Sequence, residues 1–237
     1  MKIAIIGYGK MGKAIDHLTG STDQVILKIG KNNTLDLTKE ALSKCDVAIE
    51  FSTPDAAFDN IKFCLEAGIP VISGTTGWLQ KKEEIESICK KHNGTFFYAS
   101  NFSLGVNLFF ALNKNLAKMM NAFPQYKIQL SETHHIHKLD APSGTAITIA
   151  DGILNNHEGY SSWKLHPSEK EGIPITAIRE KEVPGTHEAH YESDLDKISI
   201  RHEAFTRDSF AQGALVAAKW IIGKKGILTM NDLMQTS

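Results

Sequence analysis

Cysteine is scarce in this chain. Only Cys45, Cys64 and Cys89 occur among 237 residues, an odd number, widely spaced and with no CxxC pair. That argues against a disulfide framework and reads as buried, unpaired thiols in a reducing compartment. A dominant charge is lacking too, since 26 Lys plus Arg face 27 Asp plus Glu, for a formal net charge of −1. Such a balance gives no electrostatic footprint for nucleic acid and no basic patch for an anionic membrane. No apolar run approaches the ~20 residues that span a bilayer. The N-terminal MKIAIIGYG turns glycine-rich after Ile6, too early for a signal peptide. These absences predict a soluble, cytoplasmic, globular protein, long enough for one large domain or two modest ones.

What is present is order of two kinds. Through the first hundred residues short apolar segments (2–6, 25–29, 46–51, 71–73 and 95–98) alternate with helical patterns (11–18, 56–67 and 80–91). Continuous apolar strands between helices imply a parallel sheet covered on both faces, an α/β class. After Asn101 the character changes. A helix over 106–120 precedes an alternating strand at 127–132, and a short helix opens at Ser143. From Ile175 to Ala204 polar and apolar residues alternate, which predicts an open, mixed sheet with one face solvated or covered by a partner. The polar stretch 155–174 reads as a loop, and 209–222 as an amphipathic helix. The predicted division is 1–103 plus 212–237 for one domain and 104–211 for the other, with hinges at Ser103–Gly105 and Gln212–Gly213.

GYGKMG directly follows the first strand and opens a helix, the setting in which GxGxxG binds a dinucleotide. Gly7 permits the turn, Gly9 lets the pyrophosphate approach, and Gly12 lets helix and strand pack. Tyr8, Lys10 and Met11 complete the turn, whose free N–H groups suit a phosphate. A bare glycine turn that binds nothing is the bland alternative. The second strand ends Ile29-Gly30-Lys31-Asn32-Asn33 without the carboxylate that bonds the ribose 2′-hydroxyl in NAD-preferring sites. Lys31 would attract a 2′-phosphate, so NADPH is at least as plausible as NADH; an ordinary solvated lysine is the alternative. Gly74-Thr75-Thr76-Gly77 and Ala99-Ser100-Asn101-Phe102 fall where parallel strands end, and each reads as a cofactor loop or an ordinary turn.

The densest chemistry lies in SETHHIHKLDAPSGTA, residues 131–146. Three readings compete for His134, His135, His137 and Lys138. No metal is expected, because Lys138 opposes a cation and no Cys or paired carboxylate completes a ligand set. Histidines capping a strand end are the structural alternative. The chemical reading takes a histidine as proton donor near neutral pH and the lysine as a point charge for a carboxylate. The helix opening at Ser143-Gly144-Thr145 would hold a second carboxylate on its N–H groups.

ETHHIHKLDAPSGTA closely resembles the signature of dihydrodipicolinate reductases, E-x-H-H-x-x-K-x-D-x-P-S-G-T-A, and meets every fixed position. The resemblance extends to the glycine motif, EFSTPDA (50–56), SGTTG (73–77), ASNFSLGVN (99–107) and FAQGALVAAKW (210–220). It implies a Rossmann-like dinucleotide-binding domain with an inserted substrate and oligomerisation domain, assembled as a homotetramer. It further implies NADPH- or NADH-dependent reduction of 4-hydroxy-tetrahydrodipicolinate in lysine and diaminopimelate biosynthesis. By the resemblance His134 donates the proton and Lys138 binds a substrate carboxylate and assists protonation. His135, Ser143, Gly144 and Thr145 would hold the substrate; Gly7–Gly12, Gly74–Thr76 and Ala99–Phe102 would bind the dinucleotide.

Three features depart from the family. The glycine turn is shorter than the GxGGxxG of many members, the acid after the second strand is missing, and the chain is short. His137 is left without a role. Two rivals are considered. Another two-domain reductase of the aspartate-semialdehyde or homoserine dehydrogenase kind is one, of which the former needs a catalytic cysteine. A non-catalytic NAD(P)-sensing protein is the other.

Overall fold

The computed structural model describes residues 1–166, 171–206 and 208–235. The chain forms two compact units, Met1–Leu104 with Asp208–Ser237, and Gly105–Arg207.

The first unit begins β1 (Lys2–Ile6), α1 (Lys10–Leu18), β2 (Gln24–Ile29), α2 (Lys39–Leu42) and β3 (Val47–Glu50). It continues α3 (Pro54–Glu66), β4 (Val71–Ser73), α4 (Lys82–Lys91) and β5 (Thr95–Tyr98). In the second unit α5 (Leu104–Met120), β6 (Lys127–His134), α6 (Gly144–Leu154) and β7 (Trp163–Leu165) precede β8 (Ile173–Arg179), β9 (Gly185–Glu192) and β10 (Lys197–Ala204). The chain then returns to the first unit with α7 (Asp208–Ile221), β11 (Gly226–Thr229) and α8 (Met230–Gln235).

Every pairing in the first sheet is parallel, in the order β11-β5-β4-β3-β1-β2. Both faces are covered, which explains strands without polar alternation. Ile3, Ile5, Val47 and Ile49 face α1, α7 and α8, while Ala4, Ile6 and Ala48 face α3 and α4. Small residues on α7 (Ala211, Ala214, Ala217, Ala218) let it seat closely on the sheet. Gly213 lies within α7, so Gln212–Gly213 is helix interior and not the expected hinge.

The second sheet is mixed, in the order β10-β9-β6-β8-β7. Strands β10, β9 and β6 pair antiparallel; β6, β8 and β7 pair parallel. Ile128, Leu130, Ile175, Ala189 and Tyr191 pack on α5 and α6 residues such as Phe109, Ile149 and Ile153. The alternate positions (Gln129, Ser131, Glu188, His190, Arg201) form the other face, held by Ser131 and Arg201 bonding the Glu188 carboxylate. The expected loop 155–174 contains β7 and the start of β8, and its residues 167–170 lie outside the described residues. The C-terminal β11 and α8 were not expected, being too short to show a period. Among the described residues no helix is long and apolar enough to cross a membrane.

Candidate active site

Strand order reverses between β1 and β3, and ligands of open α/β sheets bind beyond the strand ends at such a point. A cavity of about 440 Å³ opens there, lined by Gly7, Tyr8, Gly9, Gly30, Lys31 and Ser52 among others. Gly7 has φ +100°, and a Cβ on it would lie 2.0 Å from the Phe51 carbonyl oxygen, so only glycine fits. Its N–H and that of Tyr8 donate to the Ile29 carbonyl at 2.9 Å, tying the turn to β2. A Cβ on Gly9 would meet nothing within 4 Å, and the first-turn amides of α1 have no intrahelical acceptor. Open space before a helix N-terminus fits a pyrophosphate.

The lysine in β2 and the one just after it differ. Lys28 Nζ donates to Asp16 Oδ2 at 2.7 Å, and the Tyr8 hydroxyl bonds the same oxygen. Lys31 has no ion-pair partner among the described residues and stands exposed on the cavity rim. Asn33 closes the turn instead of an acid, its Oδ1 accepting from Gly30 N–H at 2.7 Å.

The other two expected cofactor loops follow β4 and β5, at the same edge of the parallel sheet. Buried Glu50 organises the first, accepting from Ser73 Oγ at 2.6 Å, Thr75 Oγ1 at 2.9 Å and Ser52 N–H at 2.9 Å. The Thr75 hydroxyl is therefore committed to the fold, and a Cβ on Gly74 would strike the Phe51 ring at 2.1 Å. Thr76 is exposed. In the second loop Ala99 and Phe102 are core side chains, Ser100 is exposed, and Asn101 Oδ1 accepts from Ser103 N–H at 2.9 Å. None of the loop residues 74–76 and 99–102 lines the cavity.

In the second unit β6 runs two residues beyond the expected end, so Glu132 and His134 share its covered face with Leu130. His134 is 7% exposed and Glu132 1%. Glu132 accepts from Ser143 N–H through both carboxylate oxygens, at 3.0 and 3.1 Å. Ser143 is the N-cap of α6, its Oγ accepting from Ala146 N–H at 3.1 Å. Ser143 N–H is thus spent within the protein, and the amides of Gly144 and Thr145 remain for an anion.

His187, on β9, joins this pair. Its ring lies 5.0 Å from that of His134, and its Nε2 is 3.3 Å from Ser143 Oγ. Burial, then the cations Lys138 and Arg179, pushes His134 down to about 4. Burial, then His134, pushes His187 down to about 3. Both rings are neutral at pH 7.

Lys138 lies on the loop after β6, its ammonium paired with Asp140 at 2.8 and 2.9 Å. Arg179 clamps that loop, donating to the Lys138 carbonyl at 3.2 Å and the Asp140 carbonyl at 2.6 Å. The Ala141–Pro142 peptide that leads into Ser143 is cis. His135 and His137 lie apart, beside a cavity of about 350 Å³ with Glu182, Val183 and Pro184.

Glu132, His134 and His187 bring three metal-ligand atoms within 4.8 Å of one another, a trio that the sequence reading had not assembled. Two features oppose a resident cation: Ser143 N–H occupies both Glu132 oxygens, and Arg179 Nη2 stands 3.7 Å from Oε1.

Comparison with known proteins decides the kinship. Residues 1–102 match the family model described as dihydrodipicolinate reductase, N-terminus, and residues 105–234 that for the C-terminus. The chain belongs to the dihydrodipicolinate reductase family. The 4-hydroxy-tetrahydrodipicolinate reductase of Christiangramia forsetii is 47% identical, covering 99% of this chain and 98% of the relative. That of Pelagibacter ubique is 34% identical, covering 95% and 98%. A dipicolinate-bound dihydrodipicolinate reductase from Paenisporosarcina sp. TG-14 shares the fold, with TM-score 0.78 at 24% identity over 97% of each chain. As a member of this family the chain is an NAD(P)H-dependent oxidoreductase with a Rossmann-like domain.

Of the rival reductases, the aspartate-semialdehyde dehydrogenase kind needed a nucleophilic cysteine. Cys45, Cys64 and Cys89 are all buried in the first unit with their thiols pushed up, largely by burial. Three residues around His134 and Ser143 were given no role by the sequence reading: Glu132, which heads the signature, Arg179 and His187. Continuing the strand alternation two residues would have put Glu132 beside His134. His187 and Arg179 arrive through β-pairing over 40 residues or more, for which no local signal exists.

Proposed function

We propose that this chain reduces 4-hydroxy-tetrahydrodipicolinate to tetrahydrodipicolinate, taking up one hydride and one proton and releasing the 4-hydroxyl as water. The observation that carries the residue assignment is the junction of β6 and α6, which sets a histidine, a lysine and a helix N-terminus around one loop. When bound, the nicotinamide dinucleotide supplies the hydride to ring carbon C4. The residues to hold it are Gly7, Tyr8, Gly9, Lys10, Met11 and Gly12, the exposed parts of Gly74–Thr76 and Ala99–Phe102, and Lys31.

His134 delivers the proton to the carbon beside C4. Lys138 exchanges Asp140 for one substrate carboxylate and offsets the charge that builds on the adjacent imine. The second carboxylate takes the Gly144 and Thr145 amides at the α6 N-terminus, with Ser143 beside it. Lys31, lacking an acid beside it, receives a 2′-phosphate, so NADPH is accepted at least as well as NADH. The open polar face of the second sheet supports self-association to a homotetramer.

The test follows NAD(P)H oxidation at 340 nm with substrate generated by the aldolase that precedes this reaction. A general acid contributes typically ~10²–10⁴-fold, so His134→Gln and Lys138→Ala should each depress kcat strongly while dinucleotide binding persists. Turnover near wild type in both variants would refute the assignment. No oxidation by the wild type would favour the sensing protein instead.

A further inference from the structure

The mechanism above leaves unexplained why a carboxylate is buried behind the proton donor. Glu132 is fully inside, and a charge taken from water persists only where partners compensate it. Among the described residues its hydrogen bonds come from a single backbone donor, Ser143 N–H. Three cationic or protonatable groups stand just beyond hydrogen-bond range: His134 Nδ1 at 3.6 Å, Arg179 Nη2 at 3.7 Å and His187 Nε2 at 3.8 Å. The same side chain therefore touches the rear edge of His134 and the first amide of the turn that receives a substrate carboxylate.

We propose that Glu132 is the positioning residue of this site, fixing the tautomer of His134 and its spacing from the α6 N-terminal turn. This rests on His134 being the proton donor. A carboxylate facing Nδ1 favours the ring with the proton on Nδ1, because which nitrogen carries it is set by what the other edge meets. Nε2 is then the edge that accepts and delivers the transferred proton. That edge lies against Gly185, where a Cβ would come to 3.2 Å, so no side chain covers it from β9. His187 braces the frame from the next strand, Nε2 3.3 Å from Ser143 Oγ. Its own basicity, pushed down to about 3, keeps it neutral.

Strand geometry explains why one carboxylate serves both ends. Positions i and i+2 of a strand share a face, so Glu132 and His134 stand side by side whatever the following loop does. Ser143 is anchored independently as the helix N-cap. Glu132 links the two directly, and His187 braces them from β9. Without the Glu132 charge, the donor and the carboxylate-binding turn would each keep their own geometry and lose their mutual one.

The experiment uses full-length protein with ¹⁵N-labelled histidine, the His134 resonances being assigned by their loss in His134→Gln. Wild type should show His134 protonated at Nδ1. Glu132→Gln should lose that preference, with kcat down tenfold or more and KM for the dicarboxylate raised several-fold. KM for NADPH should stay within twofold. Glu132→Asp keeps the charge and withdraws it by one methylene, so it should recover the tautomer and part of kcat; it carries the test should Glu132→Gln fail to fold. An unchanged tautomer with kcat within twofold in the Gln variant would overturn the proposal, as would a changed tautomer with unchanged kcat. Wild-type turnover in His134→Gln would instead overturn the donor assignment beneath it, and the two failures are read from different variants.

Discussion

Binding of a dicarboxylate should draw a proton from solution onto His134. In the free protein this ring is pushed down to about 4, so at pH 7 on the order of one molecule in 10³ is protonated. A donor must hold its proton when the substrate arrives. The causes of the depression indicate the remedy: after burial, the largest are the positive charges of Lys138 and Arg179. A substrate carboxylate neutralises the first of these and adds a negative charge nearby. At roughly 5 Å and an effective dielectric near 20, one carboxylate favours the imidazolium by about 3 kcal/mol, or about 2.4 pKa units. That moves His134 to between about 6 and 7, and the protonated fraction at pH 7 from about 10⁻³ to a few tenths. Calorimetry of pyridine-2,6-dicarboxylate binding, in buffers of different ionisation enthalpy, reads the uptake directly. We expect about 0.1–0.5 proton per ligand near pH 7, and close to none in His134→Gln. The other titrating groups around the ring (Glu132, His135, Asp140 and His187) persist in that variant, so the difference isolates His134. Equal heats in all buffers for the wild type, or equal uptake in the variant, would refute the reasoning.

Two more expectations concern other parts of the chain. Lys31→Ala should raise KM for NADPH by about tenfold, the worth of one charge-assisted contact of about 1.4 kcal/mol, and leave KM for NADH within twofold; equal changes for both cofactors would remove Lys31 from the 2′-phosphate. Stability should fall on mild acidification, because His134 and His187 sit at about 4 and about 3 in the fold, below their unfolded value near 6.5. Between pH 6.5 and 4 the unfolded chain binds protons that the fold refuses, so stability is full above 6.5 and declines toward 4. Urea unfolding at pH 7.5 and pH 5 should differ by roughly 2–4 kcal/mol, and less in His187→Gln; identical values would refute it.

The nucleotide-binding half was legible because its signals are local. Covered parallel strands read as unbroken apolar segments, and a glycine turn between strand and helix carries its own explanation: Gly7 cannot take a Cβ against Phe51. The same locality says less about single side chains: Thr75 Oγ1 bonds Glu50 and Phe102 packs in the core, so the cofactor reading of those two positions rests on their backbone.

The substrate half shows the complementary limit. The run 134–145 declared its histidines, lysine and helix start, since all lie within a dozen residues. What turns them into one site is the pairing of Glu132 with His187 and of His134 with Arg179 across β9 and β8, and pairing partners leave no mark in a strand's own composition. One trace was readable. An acid two residues before a histidine, on a strand whose other inward positions are Ile128 and Leu130, is an acid placed in a core. Burying that charge opposes folding unless it is held, so its partners had to include both a backbone donor and a cation. Ser143 N–H and Arg179 are those partners, and each anchors the loop between β6 and α6. The carboxylate that looks least suited to the core is thus the point through which β6, β8 and α6 hold the loop between them.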